Sequence, residues 1–359
     1  MLDLILRKCL NSLLVVFGVI CVVFLLFNVL PGDPARMVLG QRADLASVET
    51  INRELGRDLP LQVQFLHYLN DVSPLSVLNH ADSASRIYAD RQRYGQTLSI
   101  VKLKEHMLAL KTPYLGRSYQ SREKVLNILW DSLPGTVVLA FSALAFAAFT
   151  GILLGIASAI TYRSATDQFI MVLSVIGMSV PSFFAGILMA WIFGFLLRDY
   201  TGLEMTGSLY EVDAFEGLQI AWKNLLLPAV TLGIRPLAVI VQLTRSSMLD
   251  VLAADFVRTA RAKGLSPFVV VFKHALKNAL NPVVTALSGW LGSLLAGAVF
   301  IEYIFGWKGV GKVTVDALEQ YDFPVVMGAV LMVSVFFVLI NILVDILYAR
   351  IDPRVRISG

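Results

Sequence analysis

The sequence predicts an all-α integral membrane protein with six transmembrane helices and a long extracytoplasmic segment between the first and the second. Three observations lead there. The 359 residues are 57% hydrophobic and 16% charged, with a mean hydropathy of +0.71, whereas a soluble domain is about 45–50% apolar and about 25% charged. The apolar residues gather in runs long enough to cross a bilayer, which takes about 20 helical residues. The charges that remain are sorted by sign among the connecting loops. A soluble enzyme, a disordered chain and a nucleic-acid binder are excluded on these grounds.

The first run, Leu10 to Leu30, is uncharged and follows Arg7 and Lys8. It ends in Leu30-Pro31-Gly32-Asp33-Pro34, a helix stop rather than the small-residue cleavage site of a signal peptide, so a retained span is expected. The next runs are Leu133–Ile160, Phe169–Leu197, Leu225–Leu243, Ala279–Ile301 and Phe323–Val344, of which only Leu225–Leu243, the fourth span of the chain, holds a charge, Arg235. Six spans place both termini on one side. The stretch Arg245–Lys277 carries six basic residues against Asp250 and Asp255, a net +4, and Arg350, Arg354 and Arg356 follow in the tail. The stretch Arg198–Lys223 is net −3 and Glu302–Asp322 is net −2. Basic loops stay cytoplasmic, so both termini and the 245–278 loop are assigned to the cytoplasmic side. The chain then reads as residues 1–30 (N-terminus and first helix), 31–132 (outer segment), 133–349 (five-helix core) and 350–359 (tail).

In the outer segment Ser47 caps an expected helix to Leu55, with Glu49 and Arg53 at i,i+4. A second amphipathic stretch, Gln62–Leu69, follows Pro60. Residues 74–111 are mixed and polar, and no structure is assigned to them. Cys9 and Cys21 both lie on the first helix, where they cannot staple a secreted fold. His67, His80, His106 and His274 lie outside the apolar runs and form no His-Glu-x-x-His pair, so neither a metal nor a cofactor is expected.

The chemistry-bearing stretch is Asp255-Phe256-Val257-Arg258-Thr259-Ala260-Arg261-Ala262-Lys263-Gly264-Leu265. It reads as a short helix with stop signals: Lys263 in the last turn, Gly264 at the cap and Pro267 beyond. Asp255 and Arg258 are i,i+3 neighbours. Such organisation suits a docking element better than a solvated connector.

Arg258-Thr259-Ala260-Arg261-Ala262-Lys263-Gly264-Leu265, followed by His274-Ala275-Leu276-Lys277-Asn278-Ala279-Leu280-Asn281-Pro282, resembles the EAA loop of ABC-importer permeases. More narrowly, it resembles the dipeptide/oligopeptide/nickel branch. Arg258-Thr259-Ala260 stand in the Glu-Ala-Ala places and Gly264 in that of the Gly. Leu39-Gly40, Leu115-Gly116-Arg117-Ser118, Leu133-Pro134, Leu243-Thr244-Arg245-Ser246-Ser247-Met248-Leu249, the segment Glu302 to Gly311, Tyr321-Asp322-Phe323-Pro324 and Asp352-Pro353-Arg354-Val355-Arg356 match the branch in order and spacing. The resemblance implies a multi-pass permease subunit with no catalytic site of its own, set in the lipid of a bacterial cytoplasmic (inner) membrane. It also implies a second permease (usually a different paralogue), two cytoplasmic ATPase subunits and an extracytoplasmic solute-binding protein. Asp255, Arg258, Thr259, Ala260, Arg261, Lys263 and Gly264 would then form the coupling helix that meets the ATPase. Two departures stand out: extra material near Leu75–Lys111, and Lys308 where many members have Pro.

Gly306 to Val313 nearly satisfies the phosphate-loop pattern, but Val313 stands where Ser or Thr must hold Mg²⁺, so a tight turn is expected. Gly151 and Gly155, and Gly292 with Ala296, allow close helix approach, either within the chain or with a partner. Pro181 and Pro236 free backbone carbonyls and serve either packing or the shape of a path. Arg235 near mid-span is costly. Its partners would be backbone carbonyls, a water-filled cavity, the second permease or the cargo. The rival class, a secondary transporter or channel not driven by ATP, would show ionisable residues in several spans and an inverted repeat, and neither is visible.

Overall fold

The computed structural model describes residues 2–28, 58–83, 85–213 and 217–351. The expected helix at Ser47–Leu55, the stop at Leu30–Pro34 and the motif Asp352–Arg356 lie outside these residues. The helices that organise the described residues include α1 (Leu2–Asn28), α2 (Leu61–Val72), α3 (Arg91–Tyr94), α4 (Val125–Ile160), α5 (Ala165–Ser179) and α6 (Ser182–Met189). They continue with α7 (Lys223–Leu252), α8 (Asp255–Ala262), α9 (Asn281–Gly297), α10 (Val299–Ile304), α11 (Val310–Glu319) and α12 (Phe323–Ile351). The strands are β1 (Leu75–Asn79), β2 (Leu98–Leu103), β3 (His106–Leu110), β4 (Tyr210–Asp213) and β5 (Gly217–Ile220).

Among the described residues, four helices are long and apolar enough to cross a bilayer, through Leu10–Phe27, Val125–Ile160, Lys223–Leu252 and Phe323–Val344. A fifth candidate is broken. The chain bends by 108° between Ala165–Ser179 and Ser182–Leu196. The break falls at Pro181, whose φ of −58° and ψ of 135° end one helix and cap the next. The expected span Ala279–Ile301 is divided between α9, 17 residues, and α10, 6 residues, each shorter than a full crossing. The all-α expectation fails locally, because among the described residues five short strands pair antiparallel in two small sheets. Their alternation is masked by the polar residues between them.

The chain divides into two compact units. One comprises residues 132–313 and 335–359 with the first nine residues. Its helices meet where glycines remove side chains. A Cβ on Gly155 of α4 would lie 2.5 Å from Thr244 Cβ of α7, one on Gly151 would lie 2.9 Å from Ile240 Cγ2, and one on Gly233 would lie 2.8 Å from Ala143 O. Real Cβ atoms do not approach so closely, so the small-residue stripe of α4 packs within the chain, against α7. Gly292 likewise faces Phe337 of α12 at 3.1 Å.

The near-phosphate-loop lies in the same unit. Trp307, fully buried, donates from Nε1 to Gly135 O at 2.9 Å, and Val310 N donates to Thr136 Oγ1 at 2.9 Å. Lys312 N donates to the buried Glu302 at 3.1 Å, and Gly309 and Gly311 leave no room for a Cβ beside that carboxyl group. The glycines cradle the chain's own acid rather than a phosphate. Truncating a buried Trp costs about 3–5 kcal/mol, so this turn is a firm joint.

The other unit comprises residues 10–131 and 314–334. Its sheet, in the order β1-β3-β2, buries Leu78, Met107 and Ala109 on one face with Tyr94 of α3. Asp71 organises what lies beneath. Arg93 Nη2 donates to it at 2.5 Å and Tyr94 Oη at 2.7 Å, while Lys111 Nζ donates to its backbone oxygen at 2.6 Å. Burial draws the Lys111 ammonium down to about 8, against the opposing pull of Asp71. Two sequence motifs about 200 residues apart also meet here. Ser118 Oγ donates to Asp322 at 2.5 Å and Tyr119 N at 2.9 Å.

Candidate functional site

The expected docking element folds as a helix of eight residues, α8, immediately after α7. α7 runs on to Leu252, nine residues past the apolar run, so less of the 245–278 segment is loop than its charge implies. Ala254 is extended, at φ −71° and ψ 150°, and lets the chain turn into α8. Asp255 in the first turn complements the helix dipole. Arg258 Nη1 approaches Asp255 at 3.6 Å with both side chains in solvent, an ion pair that contributes little. Thr259 Oγ1 donates back to Asp255 O at 3.0 Å.

The C-terminus closes in a Schellman arrangement. Gly264 N donates to Arg261 O at 3.0 Å and Leu265 N to Ala260 O at 3.4 Å, while Gly264 takes a φ of +77°. Lys263 precedes it at φ −77° and ψ 3°. Only Val257 and Ala260 of α8 are buried. They pack on Val270, Val251 and Leu252. Asp255, Phe256, Arg258, Thr259, Arg261 and Ala262 are exposed, and so are Lys263, Gly264, Leu265 and Phe268 just beyond. Ala260 therefore fastens the helix rather than presenting surface. The others form one projecting face that is basic with apolar edges.

The path candidates are distributed differently. Pro236 is buried inside α7, which stays helical through it. Arg235 is exposed and forms no hydrogen bond or ion pair among the described residues. The carbonyls freed near Pro236 thus leave its guanidinium without a partner among the described residues. α5 meets α7 where Gly177 faces Ile234, beside Arg235 and four residues before Pro181.

One cluster escaped sequence inspection. Asp167, in the first turn of α5, accepts from Arg245 of α7 through Nε at 2.7 Å and Nη2 at 2.8 Å, and from Ser158 Oγ of α4 at 2.5 Å. The signal was present: Ser164-x-x-Asp167 is a capping box, and Ser164 Oγ accepts from Asp167 N at 3.3 Å.

Residues 151–357 match the family of binding-protein-dependent transport system inner membrane components, and residues 1–84 match the N-terminal family of such membrane components. The chain belongs to this family. It is a permease subunit of an ABC importer, of the branch holding DppB, DdpB and GsiC, and a transport subunit rather than an enzyme. The di/tripeptide transport system permease protein DppB of Pseudomonas aeruginosa is 35% identical over 356 residues, covering 95% of this chain and 94% of that one. The probable D,D-dipeptide transport system permease protein DdpB of Escherichia coli is 36% identical over 369 residues, covering 98% and 97%. The glutathione transport system permease protein GsiC of Salmonella typhimurium is 35% identical over 356 residues, covering 99% of each. A chain of the MetNI methionine ABC transporter shares the fold, with a TM-score of 0.52 and 17% identity over 63% of this chain and 97% of that one. An importer permease of this family is a multi-pass inner-membrane protein that works with a second permease, ATPases and a binding protein.

Proposed function

We propose that this permease carries peptides, or related solutes ending in a carboxylate, along a path that passes Arg235, Pro236 and Pro181. One observation carries the reading: Arg235 stands exposed on a membrane helix with no partner among the described residues. A cation at such depth costs about 2.5–3.5 kcal/mol on insertion scales. A guanidinium offsets that cost by holding a carboxylate in two parallel hydrogen bonds. The relatives named for dipeptides, tripeptides and glutathione support the cargo class.

In this reading the chain crosses six times, α9 and α10 together serving as the fifth crossing, and both termini face the cytoplasm. The net +4 of Arg245–Lys277 supports that orientation. The extracytoplasmic binding protein delivers cargo to the 31–132 segment, and the second permease is a different paralogue. α8 docks in the ATPase through Asp255, Arg258, Thr259, Arg261, Lys263 and Gly264, with Ala260 packing beneath.

Arg235→Lys and Arg235→Gln test the path. In the assembled complex, uptake of dialanine and of its C-terminal amide is compared. Arg235→Gln is expected to lose dialanine uptake selectively, with Arg235→Lys intermediate and basal ATPase retained. Equal transport of both solutes by both variants, or failure of both to assemble, removes Arg235 from the path.

A further inference from the structure

We infer that Asp167 and Arg245 are positioning residues of the transport cycle: their ion pair locks α7 to the α4–α5 elbow, so that a stroke received by α8 reaches the membrane helices. The inference rests on the reading of α8 as the ATPase contact. Asp167 accepts four donors from three directions. Arg245 supplies two, Ser158 Oγ one, and the backbone N–H of Arg163 the fourth at 2.9 Å. The Asp167 side chain is 4% exposed and that of Arg245 22%. The guanidinium also lies 5.3 Å from the centre of the Tyr162 ring. Arg163 itself holds a φ of +65°, a backbone state uncommon outside glycine, and its N–H bond to Asp167 fixes that turn.

The pair sits on a continuous packed route. α8 rests through Val257 and Ala260 on Val251 and Leu252, at the end of α7. One turn back, Met248 packs with Ile156 and Ala159 of α4 and with Val271, Ala275 and Ala279. Arg245 follows, ten residues before Asp255, and next to it Gly155 brings α4 onto Thr244. Apolar packing allows helices to slide. A bidentate fork fixes both distance and angle. Coupling between distant sites is carried by rigid elements and bonded networks of this kind, and a buried charge left alone in such a network is strongly disfavoured. The joint therefore moves as a body or not at all.

The test uses the whole importer with its partner permease, ATPases and binding protein in liposomes, with dialanine as cargo. Asp167→Asn keeps the shape and removes the charge, while Arg245→Lys keeps the charge and removes the fork. The readout is dialanine transported per ATP hydrolysed, which packing stability alone does not move. Asp167→Asn is expected to lower it about tenfold, within the usual range of coupling between sites, while ATPase turnover persists. Arg245→Lys should fall between, and the double variant should be no worse than Asp167→Asn. An unchanged ratio in whichever variant assembles overturns the inference, as does failure of both to assemble, which would make the pair a folding element only. In parallel, Arg261→Cys in a background without Cys9 and Cys21 is cross-linked to the ATPase. A cross-link together with an unchanged ratio rejects the joint alone. No cross-link rejects the α8 contact, and the inference with it.

Discussion

Replacing Gly264 isolates the contribution of one backbone conformation to docking. Its φ is +77°, and a Cβ built there would meet nothing within 4 Å. Crowding therefore contributes nothing, and the cost of any substitution is the left-handed backbone itself. That is about 1–2 kcal/mol for an ordinary side chain, more for a β-branched one, and less for Asn, whose short amide tolerates the region. One or two kcal/mol lowers the population of the capped helix end by about 5- to 30-fold. Asn, Ala and Val at this position should then form a graded series, Asn nearest to wild type and Val worst. Co-purification of the ATPase and dialanine uptake should both follow that order, with membrane insertion unchanged. If Gly264→Val matches wild type in both, or Gly264→Asn is as damaging as Gly264→Val, the cap does not position a docking helix.

Three further outcomes are expected. In a chain without Cys9 and Cys21, Ser85→Cys should react with an impermeant thiol reagent in intact cells and Ser266→Cys should not; the reverse pattern would invert the topology. Deleting Leu75–Lys111 should spare assembly and lower uptake. The cut ends already lie together, since Lys111 N donates to Pro74 O at 2.9 Å, and unchanged uptake would make the sheet dispensable for delivery. Finally, Lys111 titrates near 8 when folded and near 10.5 when unfolded. The folded chain therefore binds less proton in that interval, and stability should rise as pH climbs through it. Thermal scans should show the rise in wild type and a flat profile in Lys111→Met; a flat wild-type profile would contradict the burial argument.

How much of this was legible in the sequence differs by residue. The last span, Phe323–Val344, coincides with its apolar run, because the motif Tyr321–Pro324 marks its start and no charge interrupts it. The third does not, because hydropathy carries no direction. Pro181 reads in the sequence as a proline that frees a backbone carbonyl within one span, and it is a 108° break in the fold. Likewise α7 extends past Leu243 because polar residues such as Arg245 find partners on neighbouring helices, which no single-run count can see. Within α8 and its cap, the helix, the cap and the Asp255–Arg258 pair were all readable from local spacing. The burial of Ala260 was not, since it depends on Val270 arriving from beyond the turn. Asp167 stood in plain view as a capping residue, but its bond to Arg245 spans 78 positions, and spacing rules reach only one turn.

The small sheet also bears on how the protein survives its own synthesis. β2 is an edge strand, and Leu98, Ile100, Val101 and Leu103 are each more than 45% exposed. An open apolar edge invites a second copy to pair with it. Ile100 is the extra residue of a bulge, since Ser99 faces Ala109 and Val101 faces Leu108. Such an irregularity twists an edge and spoils its use as a template, and the charge of Lys102 guards the same strand. Copies crowded in one membrane are thereby hindered from pairing edge to edge, and straightening the strand by removing Ile100 would trade a tidy register for clumping at high expression.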